Sequence, residues 1–405
     1  MSPFLLLFLQ IKDEFRQNMN NYLFLIITII LNFIGLACSR ENPRQTDFTR
    51  TVLIYAVASN NLSSFLEKDK DEMIQAAPSI EGLGKDVNVL LYSVASKNAT
   101  EATLAELKRT SSGQWEFQTI KSYDRDTFST DPKRMSEVFS DVRDLSQSDN
   151  YGLVFWSHGT GWVPDFLTHE VPGKQRSFGW DTYNKATDKC DIPELATAIP
   201  DRMFDYIWFD VCYMMGIETA YQLRNKTDYI CGYPTEDWSP GMNYETTLPM
   251  LMQKKPDLTG AAKAFFDYYN NSGMAVTVTV LQTKGLDRLA SAAADLYGNG
   301  KRPADAFGMQ DYGRSPNRGL YDFGQFTRAY ADDDKIGLAD ELAEFDQALD
   351  GVLLYGGCST KNFNNTANAF NPDIYSGMSC HFPDTSTEEN EEFYRKLDWV
   401  RDTNP

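Results

Sequence analysis

The stretch DYIWFDVCYMMGIETAYQL, residues 205–223, decides the fold, because an apolar run is followed at once by reactive side chains. Its first residues, DYIWF, predict a strand that is covered on both faces, as in a parallel sheet. Asp210 and Cys212 come next, and YMMGIETAYQL then predicts a helix that begins near Cys212. A buried strand that ends in polar groups is typical of α/β proteins, whose ligands bind at the carboxyl ends of the strands.

A second apolar run has the same arrangement. GLVFW (152–156) predicts another buried strand, and SHGTG follows at its carboxyl end. TVLIYAVA (51–58) and VNVLLYSVA (87–95) are further runs of this kind, with helix-like stretches between them. We therefore predict an α/β fold, an α/β/α sandwich with a mostly parallel central sheet. If the two polar-ended strands are neighbours, His158 lies beside Cys212.

Cys212 and His158 are the candidate catalytic residues. A cysteine becomes a nucleophile when a helix N-terminus or an imidazole favours its thiolate. Gly159 and Gly161 leave the backbone after His158 open, so that the N–H of Gly159 can act with the N–H of Cys212 as an oxyanion hole. The alternative is a core cysteine and a hydrogen-bonded histidine that never meet.

The other two histidines are weaker candidates. Cys380 and His381 are adjacent on the predicted strand GMSCHFP, and neighbouring side chains of a strand point to opposite faces. They therefore cannot form a dyad. His169 lies in a loop-like stretch, where we expect a surface histidine.

Two motifs resemble those of the clostripain family of cysteine peptidases, which have a caspase-like fold. SHGTGW (157–162) is similar to the family's His-Gly motif, and FDVCYMMGIETAY (209–221) to its Asp-x-Cys motif. YICGYPTEDWSPGMNYETTL (229–248) and SGMSCHFP (376–383) resemble later segments, so that the likeness runs through roughly residues 49 to 400. It implies an endopeptidase in which Cys212 attacks the peptide carbonyl, His158 protonates the leaving amine, and water hydrolyses the thioester.

The resemblance also implies a role for Asp210. In the family, the aspartate two residues before the cysteine helps to bind the Arg or Lys that precedes the scissile bond. A guanidinium pairs with a carboxylate through two hydrogen bonds, which favours Arg over Lys. Asp210 and Cys212 project to the same side if both lie on one strand. Glu236 and Asp237 are further candidates for this pocket, and the alternative for Asp210 is a cap on the following helix.

Members of the resembled family are commonly activated by cleavage between the histidine and the cysteine. The loop between them, broken by Pro172 and Gly173, contains Lys174 and Arg176, and exposed loops of this kind are cut readily. We predict self-processing within residues 172–190, at Lys174 or Arg176. The alternative is an ordinary loop with solvated basic residues.

The N-terminus predicts export. YLFLIITIILNFIGLA (Tyr22 to Ala37) is uncharged and shorter than the roughly 20 residues of a membrane-spanning helix. GLAC resembles a bacterial lipoprotein signal, in which Cys38 becomes the lipidated first residue, and this is favoured over simple secretion or an uncleaved anchor. We predict a periplasmic or surface-exposed lipoprotein, with membrane contact only through this lipid or anchor.

The composition argues against several partners. The chain has 405 residues and a net charge of −19, which repels nucleic acid. With three histidines and no metal-binding motif, we predict no metal and no cofactor. Acidic runs such as Asp332, Asp333 and Asp334 lack the spacing of a calcium loop, so that solvated surface charge is expected there rather than Ca²⁺.

Five cysteines besides Cys38 is an odd number, so at least one is free or pairs between chains; the alternative is that all five are reduced and buried.

We divide the chain into an export segment (1–38), a linker (39–48), a catalytic domain (49–300) and a more helical C-terminal extension packed on the sheet (301–405). The expected partners are proteins or peptides with exposed Arg or Lys. The competing function is a tethered peptide-binding lipoprotein with an inactive peptidase fold.

Overall fold

The computed structural model describes residues 47–162, 178–313, 319–332, 337–363, 369–382 and 392–405. Residues Asp47–Pro405 form one compact unit. The predicted export segment, with Cys38, and nearly all of the predicted linker lie outside the described residues.

Nine strands of the described chain form one sheet in the order β12-β10-β9-β8-β5-β1-β2-β3-β4. The strands are β1 (Phe48–Val57), β2 (Val87–Val94), β3 (Ala102–Arg109), β4 (Trp115–Tyr123), β5 (Ser148–Trp156), β6 (Phe178–Tyr183), β7 (Ala186–Cys190), β8 (Phe204–Asp210), β9 (Tyr229–Gly232), β10 (Thr277–Gln282), β11 (Leu320–Asp322), β12 (Leu353–Cys358) and β13 (Ser379–His381). The five central strands, β9-β8-β5-β1-β2, are parallel, and the edge strands pair antiparallel. Strands β6 and β7 form a separate hairpin, and β11 pairs with β13.

The central strands are buried on both faces, as their continuous apolar sequences predicted. In β1, every residue from Arg50 to Val57 is buried. Alternate side chains belong to different cores: Leu53, Tyr55 and Val57 pack on one face of the sheet, and Val52, Ile54 and Ala56 on the other.

Helices cover both faces of the sheet. They are α1 (Ser63–Ala76), α2 (Pro132–Leu145), α3 (Ile192–Ala198), α4 (Ile217–Gln222), α5 (Tyr244–Leu251), α6 (Leu258–Asn271), α7 (Leu286–Asn299), α8 (Phe323–Arg328), α9 (Ala339–Val352) and α10 (Asp398–Thr403). The apolar residues of α1, α5 and α6 join one core, and those of the other helices join the second. The predicted α/β/α sandwich is therefore confirmed.

Local signals position several of these elements. Helix α2 begins where Asp131 accepts a hydrogen bond from the N–H of Lys133 and Pro132 occupies the first turn, as expected of a helix start. The turn at Ser111–Gly113 joins β3 and β4 into an antiparallel hairpin, with β4 at the edge of the sheet.

The C-terminal part of the chain adds to the sheet and supports the segment that follows Cys212. Strand β12 pairs antiparallel with β10. The N–H of Ser379 in β13 donates to the carbonyl of Met215 at 3.0 Å, and the N–H of His381 donates to Glu218 at 2.8 Å. The boundary proposed at residue 301 stays a prediction.

Among the described residues, no helix is long and apolar enough to cross a membrane.

Candidate active site

The predicted catalytic residues follow two adjacent parallel strands. Strands β5 and β8 are neighbours, and their last paired residues are Trp156 and Asp210. His158 and Cys212 each stand two residues beyond that pair, so they leave the sheet at the same level. Because neighbouring strands are about 4.8 Å apart, the two residues emerge at one edge of the sheet.

The loops that carry these residues touch each other. Gly161 has φ +67°, a conformation that favours glycine, and a Cβ built there would lie 2.7 Å from the carbonyl oxygen of Tyr213. Tyr213 itself has φ 62°, and its N–H donates to the carbonyl of Thr235 at 2.8 Å. The loop after Cys212 is thus held between the His158 loop and the segment that follows β9.

Cys212 is half-buried and contacts the backbone of Asp237. The N–H of Asp237 donates to Sγ at 3.2 Å, and the carbonyl oxygen of Asp237 lies 3.7 Å from the same sulfur. The N–H can stabilise negative charge on the sulfur, whereas the carbonyl oxygen accepts from the protonated thiol. The predicted helix start near Cys212 is wrong, because α4 begins at Ile217 and a turn separates it from β8.

His158 is oriented by residues from two other segments. Its Nε2 lies 2.7 Å from Oδ1 of Asn61, in the loop that follows β1. The centre of its ring lies 4.7 Å from the ring centre of Trp180 in β6. Nζ of Lys189 in turn lies 4.2 Å from the ring centre of Trp180. The sequence prediction missed Asn61 and Trp180, which tertiary structure alone brings to His158.

Gly159 is anchored to the strand that follows the predicted processing loop. It forms a bridge with Phe178, and the N–H of Gly179 donates to the carbonyl of His158 at 2.9 Å. The oxyanion role of the Gly159 and Cys212 N–H groups stays a prediction.

Asp210 lies beneath the site and is only 4% exposed. Its carboxylate accepts hydrogen bonds from the hydroxyl of Tyr244 at 2.8 Å, the N–H of Met242 at 3.1 Å and the hydroxyl of Tyr233 at 3.3 Å. Asp210 ends β8 and does not cap a helix. The argument that strand alternation directs Asp210 and Cys212 to one side is wrong, because Cys212 lies beyond the strand.

Two more carboxyl groups surround Asp210. Burial raises the pKa of Asp237 well above its usual range, and the charge of Asp210 raises it further. Burial likewise raises the pKa of Asp210. Asp69 of α1, which accepts a hydrogen bond from Nε1 of Trp156 at 2.7 Å, has its pKa raised to about 9, mainly by burial and then by Asp210. Within the described residues, none of the three carboxyls has a Lys or Arg partner in an ion pair.

Asp69 carried a signal that sequence reasoning did not use. It is buried on the same face of α1 as Leu66 and Met73, so a charged residue interrupts an apolar stripe. Glu236 is half-exposed, and its role in the pocket stays a prediction.

The remaining predicted site residues lie partly beyond the described chain. Lys174, Arg176 and His169 fall within residues 163–177, which the structure does not describe. His381 is buried, with its ring 4.7 Å from that of Trp162. In the part of the chain that is described, no group of three or more His, Cys, Asp or Glu could hold a metal ion.

The sequence model of the clostripain family matches residues 54–402. No curated protein matches the chain.

Solved structures of bacterial proteases share the fold. A secreted C11 cysteine protease from Bacteroides thetaiotaomicron, in complex with an irreversible peptide inhibitor, is 25% identical, with a TM-score of 0.73 over 88% of this chain and 99% of its own. An inactive zymogen C11 protease from Parabacteroides distasonis is 26% identical, with the same TM-score and coverage. With the family match over most of the sequence, these findings show that the chain belongs to the clostripain family and is a cysteine peptidase.

Proposed function

We propose that the protein is an endopeptidase that cleaves after Arg or Lys through a Cys212–His158 dyad. Both residues follow the ends of adjacent strands, each two positions beyond the Trp156–Asp210 pair, and this placement supports the proposal. Cys212 attacks the scissile carbonyl, the N–H groups of Gly159 and Cys212 stabilise the oxyanion, and His158 protonates the leaving amine. Water then hydrolyses the thioester and releases the carboxylate product.

The buried carboxyl groups support the preference for a basic residue. Asp210 and Asp237 lie close enough for each to influence the other's ionisation, and Asp237 also contacts the sulfur of Cys212 through its backbone. A guanidinium or ammonium group placed there supplies the missing positive charge. Arg is preferred to Lys, because its planar fork can bind two carboxylate oxygens at once.

A reporter assay tests this function. Matched peptides that end in Arg, Lys, Gln or Asp before the reporter are incubated with the wild-type protein, before and after thiol alkylation. We expect the reporter to be released from the Arg and Lys peptides only. The rate of release should fall by at least about 10⁴-fold on alkylation and in Cys212→Ala. Binding of the Arg peptide without release would support the tethered peptide-binding protein instead. Release from the Gln peptide at an equal rate would contradict the role of the carboxyl groups.

We propose further that the enzyme activates itself by cleavage at Lys174 or Arg176. The similar Parabacteroides distasonis structure is described as an inactive zymogen, which supports a latent form here. Wild type and Cys212→Ala are expressed in parallel: we expect two fragments from the wild type and one intact chain from the variant. Two fragments from both proteins would exclude self-cleavage, and an intact wild type would exclude processing.

Export as a lipoprotein is proposed from Cys38. The similar Bacteroides thetaiotaomicron protease is described as secreted, which supports export but not the lipid. Mass spectrometry of the mature N-terminus distinguishes a diacylated Cys38 from a free N-terminus created by simple secretion.

We also propose that no cofactor is needed. A Cys–His mechanism requires none, and chelation with EDTA is therefore expected to leave peptide hydrolysis unchanged. A loss of activity that Ca²⁺ restores would contradict this.

A further inference from the structure

The amide side chain of Asn61 contacts the imidazole of His158. Oδ1 of Asn61 lies 2.7 Å from Nε2, a short distance for a hydrogen bond between a ring N–H and an amide oxygen. An amide oxygen can only accept, so this contact places the ring proton on Nε2. In the neutral ring, Nδ1 then carries the lone pair.

The loop that carries Asn61 is fixed on both sides of it. The hydroxyl of Ser59 donates to Asp181 at 2.6 Å. Nδ2 of Asn60 donates to the carbonyl of Trp180 at 2.8 Å, and Oδ1 of Asn60 accepts from the N–H of Leu62 at 2.8 Å. Asn61 thus lies between two residues that bond to β6, Ser59 and Asn60, and Leu62, which directly precedes α1. Its side-chain oxygen therefore has a defined position.

Strand β6 also restrains the imidazole itself. The ring of Trp180 packs against His158. The backbone carbonyl of Trp180 accepts a hydrogen bond from Asn60 and so helps to fix the loop that carries Asn61. Asp181 of the same strand is fully buried and accepts hydrogen bonds from Ser59, Arg125 and the N–H of Ser129. Trp180 thereby limits ring tilt, and Asn61 limits rotation about the bond that joins the ring to the chain.

We propose that Asn61 is a positioning residue for the reaction: it fixes the tautomer and the direction of His158 so that Nδ1 faces the sulfur and the substrate. This inference rests on the proposed function of His158 and Cys212. A neutral amide achieves this without adding a negative charge, which would favour a permanently protonated imidazolium. A carboxylate at position 61 provides the same acceptor and adds that charge.

Two variants separate orientation from charge. Asn61→Leu keeps the approximate volume and removes the acceptor, whereas Asn61→Asp keeps the acceptor and adds a charge. Asn150→Leu is the matched control, because Asn150 is an exposed asparagine at the opposite end of β5 whose side chain donates to the carbonyl of Thr49. All are prepared as the full processed enzyme and compared by circular dichroism before kinetics.

The kinetic expectations differ in direction. For the Arg reporter, Asn61→Leu lowers kcat at least about 10-fold, with KM within about 2-fold, because only proton transfer is misaligned. The alkaline limb of the pH profile of kcat/KM, which reports the imidazolium, moves to lower pH in Asn61→Leu and to higher pH in Asn61→Asp. The Cys212 thiol and Lys189, whose Nζ lies against the Trp180 ring, are unchanged in both variants, so that the shifts belong to position 61.

The outcomes distinguish this inference from the proposed function. An active wild type with Asn61→Leu at wild-type kcat and an unmoved pH profile overturns the positioning role alone. If both variants lose activity equally and keep the wild-type pH profile, the loop has a merely structural role. That result also overturns the positioning role of Asn61. A processed wild type without thiol-dependent hydrolysis overturns the proposed function, and with it this inference.

Discussion

At the residue scale, the site combines a sulfur, an imidazole and buried acids, and each depends on its immediate surroundings. Cys212 differs from the other four described cysteines in exposure: Cys190, Cys231, Cys358 and Cys380 are buried, and Cys212 is half-buried. Burial raises the pKa of each of these four thiols. Their thiolate populations, and so their reactivity, are suppressed.

We therefore predict that a limiting amount of iodoacetamide at neutral pH modifies Cys212 before the other described cysteines. Cys212 is more exposed than the other four cysteines, whose thiols burial keeps protonated. Peptide mapping by mass spectrometry measures the order. Guanidinium-unfolded protein is the control, in which all five should react at similar rates. Earlier labelling of Cys231 or Cys380 in the native protein would contradict the prediction.

The acidic pair gives a prediction about pH. Because burial raises the pKa values of Asp210 and Asp237, the two carboxyls of the proposed pocket keep their protons to a higher pH than exposed carboxyls do, and a cationic side chain bound there would displace them. Binding of Arg therefore releases protons, and KM for the Arg reporter should fall as pH rises through the ionisation of the pair. Steady-state kinetics at acidic, neutral and mildly alkaline pH measure this, with a peptidyl Gln reporter as reference.

A variant isolates the contribution of Asp237. Asp237→Asn keeps the backbone N–H at Cys212 and removes one carboxyl, so kcat/KM for Arg should fall about 10- to 100-fold. Asp201→Asn, at an exposed ion pair with Lys226, is the matched control and should have no effect. A KM that is independent of pH in the wild type, or an unaffected Asp237→Asn, would argue against a buried acidic specificity pocket.

At the scale of elements, the sheet was predictable and the loops were not. Strands β1, β2, β5 and β8 are buried on both faces, so their sequences are continuous apolar runs. The turn between Cys212 and α4 has no such pattern, and the helix was predicted five residues too early. Asn61 was missed because only the parallel order of the strands brings the segment after β1 to His158.

Gly161 provides a test of how closely the loop after His158 and the loop after Cys212 must approach each other. Gly161→Ala meets two obstacles: φ +67° and a carbonyl oxygen of Tyr213 at 2.7 Å from the new Cβ. Gly84→Ala is the matched control, because Gly84 has φ +76° and nothing within 4 Å of the new Cβ. We expect Gly84→Ala to cost about 1–2 kcal/mol of unfolding free energy without loss of kcat. Gly161→Ala should lose more stability and at least about 10-fold in kcat.

Urea denaturation and reporter kinetics on both glycine variants check this. If Gly161→Ala loses no more activity than Gly84→Ala, the contact between the loops does not set the geometry of the site.

At the scale of the whole molecule, the two ends of the parallel strands have different tasks. The carboxyl ends of β1, β5 and β8 lead into the loops that hold Asn61, His158 and Cys212, the residues of the proposed site. At the opposite end, Arg50 of β1, 1% exposed, binds Asp205 of β8 through two hydrogen bonds, at 2.7 and 3.0 Å. It also donates to the carbonyls of Gln253 and Lys254. This arrangement ties two strands and the end of α5 together far from the chemistry.

Arg50→Met should therefore affect stability and spare catalysis. Removing the cation leaves Asp205 and two carbonyls without their donor, which typically costs about 3–5 kcal/mol for a buried pair. Arg202→Met is the matched control: Arg202 and Asp228 form an exposed pair, which is worth about 0–1 kcal/mol. Urea midpoints measure the difference, and active-site titration of the folded fraction should give wild-type kcat for both variants. A loss of kcat per active site in Arg50→Met would mean that the two ends of the sheet are coupled, because packed parallel strands would then transmit a displacement at residue 50 along β1 to Asn61.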